Sequence, residues 1–355
     1  MTAIKAPISS NRPAAFAGVA RRDLAVITIS TNEKQWIDSC LASVFAHAGD
    51  ATLDVIVVDN ESTDGTRELV ESRYPQARVV PSRNGGFGYA NNRGWEAASA
   101  RYALFLNPDT EIVDGTFGEL VAAFDERPEV GLIGVKQLTG DRELYPTMRR
   151  FPGPMRSLSE ALLSERWPWR PGWAGERVLD MAAYESEHEC DWTVGAFMAV
   201  RREALLSAGV MDERFFLQCE EPDLCMRLKQ AGWSVRHLPV MTIVHHAGKA
   251  GPSPRMSAQE VYARRQYAQK YFTAGRRRMY LGAIAARHVL RAASTRGSSE
   301  VARRRRAASL SALRALRHPA NAPFCEPPAA AAWVGPPAGP RPKAASQPGR
   351  PGDAS

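Results

Sequence analysis

Two acidic residues stand where apolar runs of the sequence end. Asp59 closes the run VIVVD, and Asp109 follows an Asn-Pro pair in the run LFLNPD. Proline has no N–H and biases the residue before it toward extended geometry, so a strand is expected to stop at Asn107 and to let Asp109 turn outward. Ligands of open parallel sheets bind beyond the carboxyl ends of the strands, which predicts one ligand site for both carboxylates.

Hydroxyl and amide side chains lie beside these carboxylates. The stretch DNESTDGT, which begins at Asp59, offers groups that hydrogen-bond a base or a ribose and that cap a following helix. The glycine-rich stretch NGGFGYANN lets backbone approach a ligand closely. Neither stretch is a phosphate-binding P-loop, and the second fails the G-x-G-x-x-G fingerprint because Asn91 stands at its last position. A nicotinamide-dependent dehydrogenase is therefore disfavoured.

A third acidic group, EEPD, occupies residues 220–223 at the start of a helical pattern. Proline suits the first helical turn, so Glu221 is expected at or beside the helix N-terminus, where the dipole favours its ionised form. Such a carboxylate in a cleft can take a proton from a hydroxyl nucleophile. Asp223 is the rival for this role, and simple capping of the helix by acidic residues is the alternative for the whole group.

Alternating strands and helices are predicted to position these groups. Four apolar runs are typical of buried strands, and helical patterns lie between them. These runs are LAVITIS, LDVIVVD, ARVVPS and RYALFLN, and VGLIGVKQL is predicted as a further strand. The alternation predicts a parallel sheet covered by helices on both faces. Residues 141–189, rich in Arg, Pro and Trp with little periodicity, are predicted to form a long surface excursion of the kind that often carries function.

The basic character of the chain belongs to one late segment. The formal net charge is +8, but residues 1–254 carry −7, residues 255–318 carry +14 and the remainder carries +1. A main body with a net negative charge disfavours a nucleic-acid role for that body. Residues 255–293 have helical spacing with arginines beside an apolar face, and the Pro-, Ala- and Gly-rich composition beyond about residue 318 predicts disorder.

Cysteine usage and hydropathy predict a cytoplasmic protein. The five cysteines form no C-x-x-C pair, which argues against a disulfide framework and against a zinc ribbon. The N-terminus lacks the apolar core of a signal peptide, and no window is apolar enough to span a bilayer. We therefore expect reduced thiols, and neither secretion nor a membrane-spanning helix.

Seven motifs, taken in order, resemble the family 2 glycosyltransferases of GT-A fold, in particular their rhamnosyltransferase-like branch. They are VITISTN-x7-CLASV, VIVVDNESTDGT, NGGFGYANNRG, LFLNPD, DWTVGAFMAVRREAL, FFLQCEEPDLCMRLKQAGW and VHHAG. The resemblance covers roughly residues 23–250 and implies an α/β fold with a Rossmann-like, mixed but mostly parallel sheet flanked by helices. The expected organisation is a flexible leader (1–22), a GT-A glycosyltransferase domain (23–254), a basic helical extension (255–317) and a disordered Pro/Ala-rich tail (318–355).

The resemblance also implies roles for individual residues. Asp109 and His245, the first histidine of VHHAG, match the family's ligands for a divalent metal, Mg²⁺ or Mn²⁺, with His246 the weaker candidate. Glu221 matches the catalytic base, although it is one methylene longer than the family's usual Asp, and Asp223 remains the rival. The residues that match the donor pocket are Ser30, Thr31, Asn32, Asp59, Asn84, Asn91 and Asn107, and those that match the wall between donor sugar and acceptor are Asp191, Trp192 and Gly195. Asn84 and Asn91 could equally hold the glycine loop in shape, and Trp192 could equally be a core residue.

The implied activity is inverting transfer of a sugar from a nucleotide-diphosphate donor to a hydroxyl of a saccharide or polyprenol-linked saccharide in cell-surface polysaccharide synthesis. Rhamnose is expected from the branch resemblance alone. The basic extension suits adsorption to anionic lipid at the inner face of the plasma membrane, or it is a solvated helix packed on the domain; no nucleic-acid partner is expected. Two other functions stay open: a nucleotide-binding scaffold without turnover, and a basic lipid- or nucleic-acid-binding protein.

Overall fold

A computed structural model describes residues 22–162, 171–246, 253–295, 297 and 299–324. The predicted leader, apart from Arg22, and the predicted tail from residue 325 onward lie outside the described residues. The start of that tail has structure: Phe324 stacks on Phe216 with ring centroids 3.7 Å apart, and its N–H donates to Gln259 Oε1 at 3.3 Å. The packed part of the chain therefore continues past the boundary expected at residue 318.

Within the described residues, a mixed nine-stranded sheet forms the framework. Its strands are β1 (Arg22–Ser30), β2 (Leu53–Asn60), β3 (Arg78–Ser82), β4 (Ala100–Leu106), β5 (Thr110–Asp114), β6 (Val130–Thr139), β8 (His188–Glu189), β10 (Phe197–Arg201) and β11 (Ser234–His245). The order is β3-β2-β1-β4-β10-β6-β11-β5, with β8 paired to β11. The first four strands are parallel to one another, and β10 enters antiparallel between β4 and β6. A separate two-stranded ladder joins β7 (Met148–Arg149) to β9 (Trp192–Thr193).

Helices cover both faces of the sheet and extend beyond it. They are α1 (Lys34–Ala46), α2 (Thr66–Arg73), α3 (Phe87–Ala97), α4 (Phe117–Asp125), α5 (Pro154–Leu162), α6 (Arg202–Ala208), α7 (Glu220–Gln230), α8 (Pro254–Tyr271), α9 (Ala274–Ser294) and α10 (Glu300–Arg317). Strand β1 illustrates the two layers, because Leu24 and Val26 pack with α1 and α4 while Ala25 and Ile27 pack with α3 and α7. Successive side chains of the strand therefore point to opposite faces of the sheet, as expected for a pleated strand.

Strand pairing brings distant site residues together. Parallel pairing of β1 with β2 sets Ser30 across from Asp59 at the carboxyl ends of both strands. Antiparallel pairing of β5 with β11 sets Thr110 across from His245. Asp109, the residue before Thr110, is thereby carried to the end of β11. The sheet alone thus collects residues from four parts of the chain along one edge.

The arginine-rich C-terminal segment is packed on the core. Helices α8, α9 and α10 share an apolar cluster that includes Val261, Tyr280 and Ala312. Tyr267 of α8 packs with Phe215 and Cys219, which precede α7. None of the helices in the described parts of the chain has the length and apolar character needed to cross a bilayer.

Candidate active site

A cavity of about 870 Å³ opens at the carboxyl edge of the sheet, between the start of α7 and the C-terminal helices. Five residues predicted for the site line it: Asn107, Trp192, Gly195, Glu221 and His245. Asp109 contacts His245 at its margin. Strand ends, helix α7 and the β7–β9 ladder therefore contribute to one hollow.

The predicted metal ligands Asp109 and His245 are in contact. Asp109 Oδ1 lies 3.1 Å from His245 Nε2, and Asn107 Nδ2 lies 3.3 Å from the same nitrogen. Gln137 Nε2 lies 3.2 Å from the other ring nitrogen, Nδ1. The N–H of His246 donates to the backbone carbonyl of Asp109 at 2.9 Å, which fixes the Asp109 backbone beside β11. The imidazole is thus oriented from both sides.

His246 also lines the cavity but contacts a different set of residues. Its ring stacks on Trp36 with centroids 5.1 Å apart, and its Nε2 lies 3.3 Å from Glu111 Oε2. The geometry therefore favours His245 over His246 as the residue that works with Asp109.

The Asp109–His245 pair fits a divalent cation with mixed oxygen and nitrogen ligands. Carboxylate, imidazole and amide groups converge there, and these are ordinary ligands of Mn²⁺ and, for the oxygens, Mg²⁺. In the described parts of the chain no cluster of three His, Cys, Asp or Glu is close enough to hold a metal ion. A cation held by two protein side chains would leave coordination positions for ligand oxygens and water.

Glu221 is aimed into the cavity by an unusual backbone turn. Gln218 and Cys219 adopt left-handed φ angles of 75° and 72° immediately before α7. For residues with a Cβ this conformation costs about 1–2 kcal/mol each, and such strain concentrates at functional sites. The turn places Glu220 and Glu221 in the first turn of α7, where both line the cavity.

Gly195 makes room for Glu221. A Cβ at position 195 would lie 2.7 Å from Glu221 Oε1, which is closer than real Cβ atoms approach. Burial raises the pKa of the Glu221 carboxyl, while hydrogen bonds from backbone N–H groups, including that of Gly195, and the positive charge of Arg149 oppose the rise. The Glu221 carboxylate is therefore more basic than that of an exposed glutamate.

Glu220 was missed by the sequence analysis as a site residue. It is 1% exposed, and its Oε2 has no hydrogen-bond partner among the described residues. Burial first, and the adjacent Glu221 carboxylate second, hold the pKa of Glu220 well above its usual range. Burial and the neighbouring carboxylate therefore both favour the neutral form of Glu220. The signal in the sequence was the adjacency of two carboxylates, which cannot both ionise cheaply in a buried site.

Asp223, the rival base, lies away from the cavity. It is fully buried, and its carboxylate accepts hydrogen bonds from Arg227 Nε at 2.9 Å, from Tyr271 Oη at 2.6 Å and from the Lys270 ammonium. These contacts join α7 to α8 and occupy both carboxylate oxygens. We therefore assign Asp223 a structural role, which is to hold α7 against α8, and we retain Glu221 as the candidate base.

The residues predicted for the donor pocket form a second cluster at the ends of β1 and β2. Asn32, with φ 59°, accepts a hydrogen bond from Thr63 N at 2.7 Å, and its own N–H donates to Ser62 Oγ at 3.1 Å. Asp59 Oδ1 accepts from Ser62 N at 3.3 Å. Thr31 is exposed on the same loop. Asn32 therefore holds the loop after β1 against the loop after β2, and Asp59 fixes Ser62 within the second loop.

Two amides flank this cluster. Asn84 is exposed, and its N–H donates to Glu61 Oε2 at 3.4 Å. Asn91 is 1% exposed, and its Nδ2 has no hydrogen-bond partner among the described residues, as is also true of Ser30 Oγ. Asn92 differs from Asn91, because its Nδ2 donates to Met211 O and to Glu213 Oε1 and its Oδ1 accepts from Met211 N. Asn92 thus ties α3 to Met211, and the Asn91 Nδ2 makes no comparable bond to the described residues.

Asp191 and Trp192 hold the surface excursion against the cavity wall. Asp191 Oδ2 accepts from Phe151 N at 2.8 Å, and Trp192 Nε1 donates to Arg150 O at 3.0 Å. The Trp192 ring is half-buried with the guanidinium of Arg149 5.9 Å from its centre, and it lines the cavity. Trp192 therefore serves both packing and the cavity surface, whereas Asp191 is a backbone clamp.

The C-terminal helices complete the cavity with a network of charged side chains. Glu176 pairs with Arg264 at 2.6 Å, and Glu260 pairs with Arg264 at 3.0 Å and with Arg287 at 3.2 Å. Arg287 also lies 3.5 Å from Glu160 of α5. All five residues line the cavity. The basic helical extension thus forms one wall of the cavity, where it contacts the 141–189 excursion through Glu160 and Glu176.

The mixed, mostly parallel sheet flanked by helices is the GT-A fold found in glycosyltransferases. Two solved structures share the fold: GalNAc-T7 with UDP, GalNAc and Mn²⁺ (TM-score 0.56, 12% identity, 83% of this chain and 56% of that one), and the mannosyltransferase PcManGT from Pyrobaculum calidifontis with GDP-Man and Mn²⁺ (TM-score 0.51, 18% identity, 84% and 86%).

The chain belongs to glycosyltransferase family 2. The profile "Glycosyl transferase family 2" matches residues 25–190. The N-acetylglucosaminyl-diphospho-decaprenol L-rhamnosyltransferase of Mycobacterium tuberculosis is 31% identical over 247 residues, covering 65% of this chain and 78% of that protein. Rhamnosyltransferase WbbL of Escherichia coli K12 is 24% identical over 236 residues, covering 62% and 83%. The family, the fold class and the enzyme class predicted from the sequence are confirmed.

Proposed function

We propose that this enzyme transfers a sugar from a nucleotide-diphosphate donor to a hydroxyl of a lipid-linked saccharide, with inversion at the anomeric carbon. The observation that carries the proposal is that Glu221, Trp192 and His245 line one cavity and that Asp109 lies 3.1 Å from His245. A rhamnosyl donor and a prenyl-diphosphate-linked acceptor are supported by the name of the mycobacterial relative.

Asp109 and His245 are proposed to hold Mg²⁺ or Mn²⁺ together with the donor's diphosphate. Gln137, beside Nδ1, would orient the imidazole, and Nε2, the ring nitrogen next to Asp109, would then be the one to hold the cation. A bound cation would neutralise charge that develops on the nucleotide-diphosphate leaving group.

Glu221 is proposed as the general base. Its carboxylate takes the proton of the acceptor hydroxyl as that oxygen forms a bond to the anomeric carbon, and the bond from that carbon to the diphosphate oxygen breaks. A single displacement inverts the anomeric configuration. Gly195 and the strained turn at Gln218 and Cys219 set the position from which Glu221 reaches the hydroxyl.

The donor's nucleoside is proposed to bind at the ends of β1 and β2. The residues proposed for contact are Ser30, Thr31, Asn32, Asp59, Asn84 and Asn91. The unpartnered buried atoms Ser30 Oγ and Asn91 Nδ2 support this place, since a buried polar group without a partner costs about 1–3 kcal/mol. Asp191 is proposed to act indirectly, by holding the excursion that borders the acceptor.

The acceptor is proposed to enter from the side of the 141–189 excursion and the C-terminal helices. Glu160, Glu176 and Arg264 place both segments on the cavity wall. An acceptor with a prenyl chain would be presented by the cytoplasmic leaflet of the plasma membrane. We therefore propose a cytoplasmic enzyme that works at the inner face of that membrane.

A nucleotide-release assay tests this function. Purified full-length protein is incubated with dTDP-, UDP- and GDP-sugars, with and without Mn²⁺, and NMR of any glycoside formed gives the anomeric configuration. Release that requires metal and is abolished by Asp109→Ala supports the proposal, and release from a UDP-sugar but not from dTDP-rhamnose would exclude the rhamnosyl donor. A product of retained configuration would exclude inversion, and thermal stabilisation by nucleotide without turnover would indicate a binding scaffold.

A further inference from the structure

Helix α5 carries its apolar side chains on the outside of the molecule. Met155 is 59% exposed, Leu158 38% and Leu162 63%, whereas Ser157 and Ser159 are buried. Positions 155, 158 and 162 lie on one face because residues three and four apart are neighbours on a helix. A helix on a globular protein normally buries its apolar stripe. In α5 the polarity is reversed.

The exposed apolar face continues onto neighbouring elements. Trp173 is 59% exposed and Met279, in the second turn of α9, is 61% exposed. A groove of about 470 Å³ between the two helices is lined by Gly153, Pro154, Met155, Arg156, Trp173, Arg276 and Met279. The charged residues among this lining are both arginines. We name this combined face of α5, Trp173 and the start of α9 the α5–α9 surface.

We propose that the α5–α9 surface docks the enzyme on a bilayer that contains anionic lipid, with Met155, Leu162, Trp173 and Met279 entering the headgroup region. Contiguous exposed apolar side chains mark an interaction surface rather than an ordinary exterior. Apolar residues next to arginines, with Trp at the boundary, are the composition of helices that lie in a membrane interface. Exposed Arg276 and Arg278 and the +14 charge of residues 255–318 complement anionic headgroups.

The α5–α9 surface lies next to the active-site cavity, so docking would bring the cavity to the membrane. This consequence rests on the proposed function. Glu160, on the opposite side of α5 from Leu158, lines the active-site cavity and contacts Arg287 of α9. Helix α5 therefore has one face in the cavity wall and one on the α5–α9 surface. Docking through the outer face would hold the cavity beside the headgroups, where the hydroxyl of a prenyl-linked saccharide is presented.

Vesicle co-flotation of the full-length protein tests the proposal without requiring activity. The vesicles are phosphatidylcholine alone, and equal parts phosphatidylcholine and phosphatidylglycerol. The test variant combines Met155→Ser, Leu162→Ser and Met279→Ser, all at exposed positions. The control combines Leu206→Ser and Val301→Ser, which are 60% and 59% exposed on α6 and α10. Far-UV circular dichroism and melting temperature confirm that both variants fold.

The expected result is binding of wild type and control to the anionic vesicles, with partitioning of the test variant weaker by about tenfold or more. Equal binding by the test variant would overturn the proposal, and so would no binding by wild type, the outcome expected if another protein covers the surface. Transfer to a short-chain, water-soluble acceptor is measured in parallel. The test variant should retain that transfer, so loss of vesicle binding with transfer intact separates this proposal from a failure of the proposed function.

Discussion

Gly195 and Glu221 occupy complementary space, since a Cβ on residue 195 would lie 2.7 Å from Glu221 Oε1 and 3.2 Å from its Cγ. The glycine in the DWTVGA motif and the acid in EEPD are therefore one structural unit, although 26 positions separate them in the sequence. The position of Glu221, the proposed base, depends on the absence of a side chain at residue 195.

Gly195→Ala should displace the Glu221 carboxylate and lower kcat by about 100-fold, because a shift of about 1 Å at a reacting group can cost that much. Donor affinity, measured by calorimetric titration of the nucleotide, should stay within threefold of wild type, since residues of the β1–β2 edge are untouched. Gly282→Ala is the matched control, because a Cβ there meets nothing within 4 Å. A Gly195→Ala enzyme with wild-type kcat would show that turnover does not depend on the position that Gly195 allows Glu221 to occupy.

The pH dependence of transfer should report the raised pKa of Glu221. The base works only when ionised, so kcat/KM should fall as pH decreases through its pKa, with a midpoint above the ordinary glutamate value of 4.5. Initial rates at saturating Mn²⁺ across the acid range measure this midpoint. An acid limb centred at or below 4.5 would be inconsistent with a base in this buried position.

Asp223→Asn should lower stability rather than remove catalysis directly. Asp223 accepts from Lys270, Tyr271 and Arg227, and removing its charge takes away the carboxylate that pairs with the buried Arg227 guanidinium, while Lys270 keeps its contact with Asp212 at 2.7 Å. Breaking such a network typically costs about 3–5 kcal/mol, and urea unfolding of the variant and wild type measures the difference. If the variant were as stable as wild type but inactive, the assignment of Asp223 to structure would fail.

Glu220→Gln should change how stability depends on pH. Because burial raises the folded-state pKa of Glu220 well above 4.5, the folded chain keeps a proton that the unfolded chain releases, so stability falls as pH rises from about 4.5 toward the folded pKa. Glutamine has no proton to lose. The free energy of unfolding of the variant, relative to that of wild type, should therefore increase by up to about 1.4 kcal/mol per pH unit in that window. Parallel unfolding curves at pH 5 and pH 8 test this, and a stability difference that does not change with pH would mean that Glu220 is ionised.

Local patterns in the sequence were sufficient to predict the carboxyl edge of the sheet. The apolar runs before Asp59 and Asp109 and the proline at 108 are local signals, and strand pairing then carries His245 to Asp109. The antiparallel entry of β10 between β4 and β6 has no local signature, since register is decided by partners far away in the chain.

Long-range pairs account for what the sequence did not reveal. Asp223 could not be separated from Glu221 as a base because its partners Lys270 and Tyr271 lie in another helix. Arg264 contacts Glu176, which is 88 positions away, and this contact holds the basic extension at the wall of the cavity. Helix α5 could not be predicted because its segment has weak periodicity. That its apolar residues face outward can be recognised only when the structure shows which side of the helix is buried.

The most direct test of the account is the turnover number of Glu221→Gln at saturating donor, acceptor and Mn²⁺. Glutamine keeps the size of the side chain and cannot accept the proton, so we predict a kcat lower by about 10²–10⁴-fold with unchanged nucleotide affinity. A Glu221→Gln enzyme that transfers sugar within threefold of the wild-type rate would contradict the assignment of Glu221 as the base.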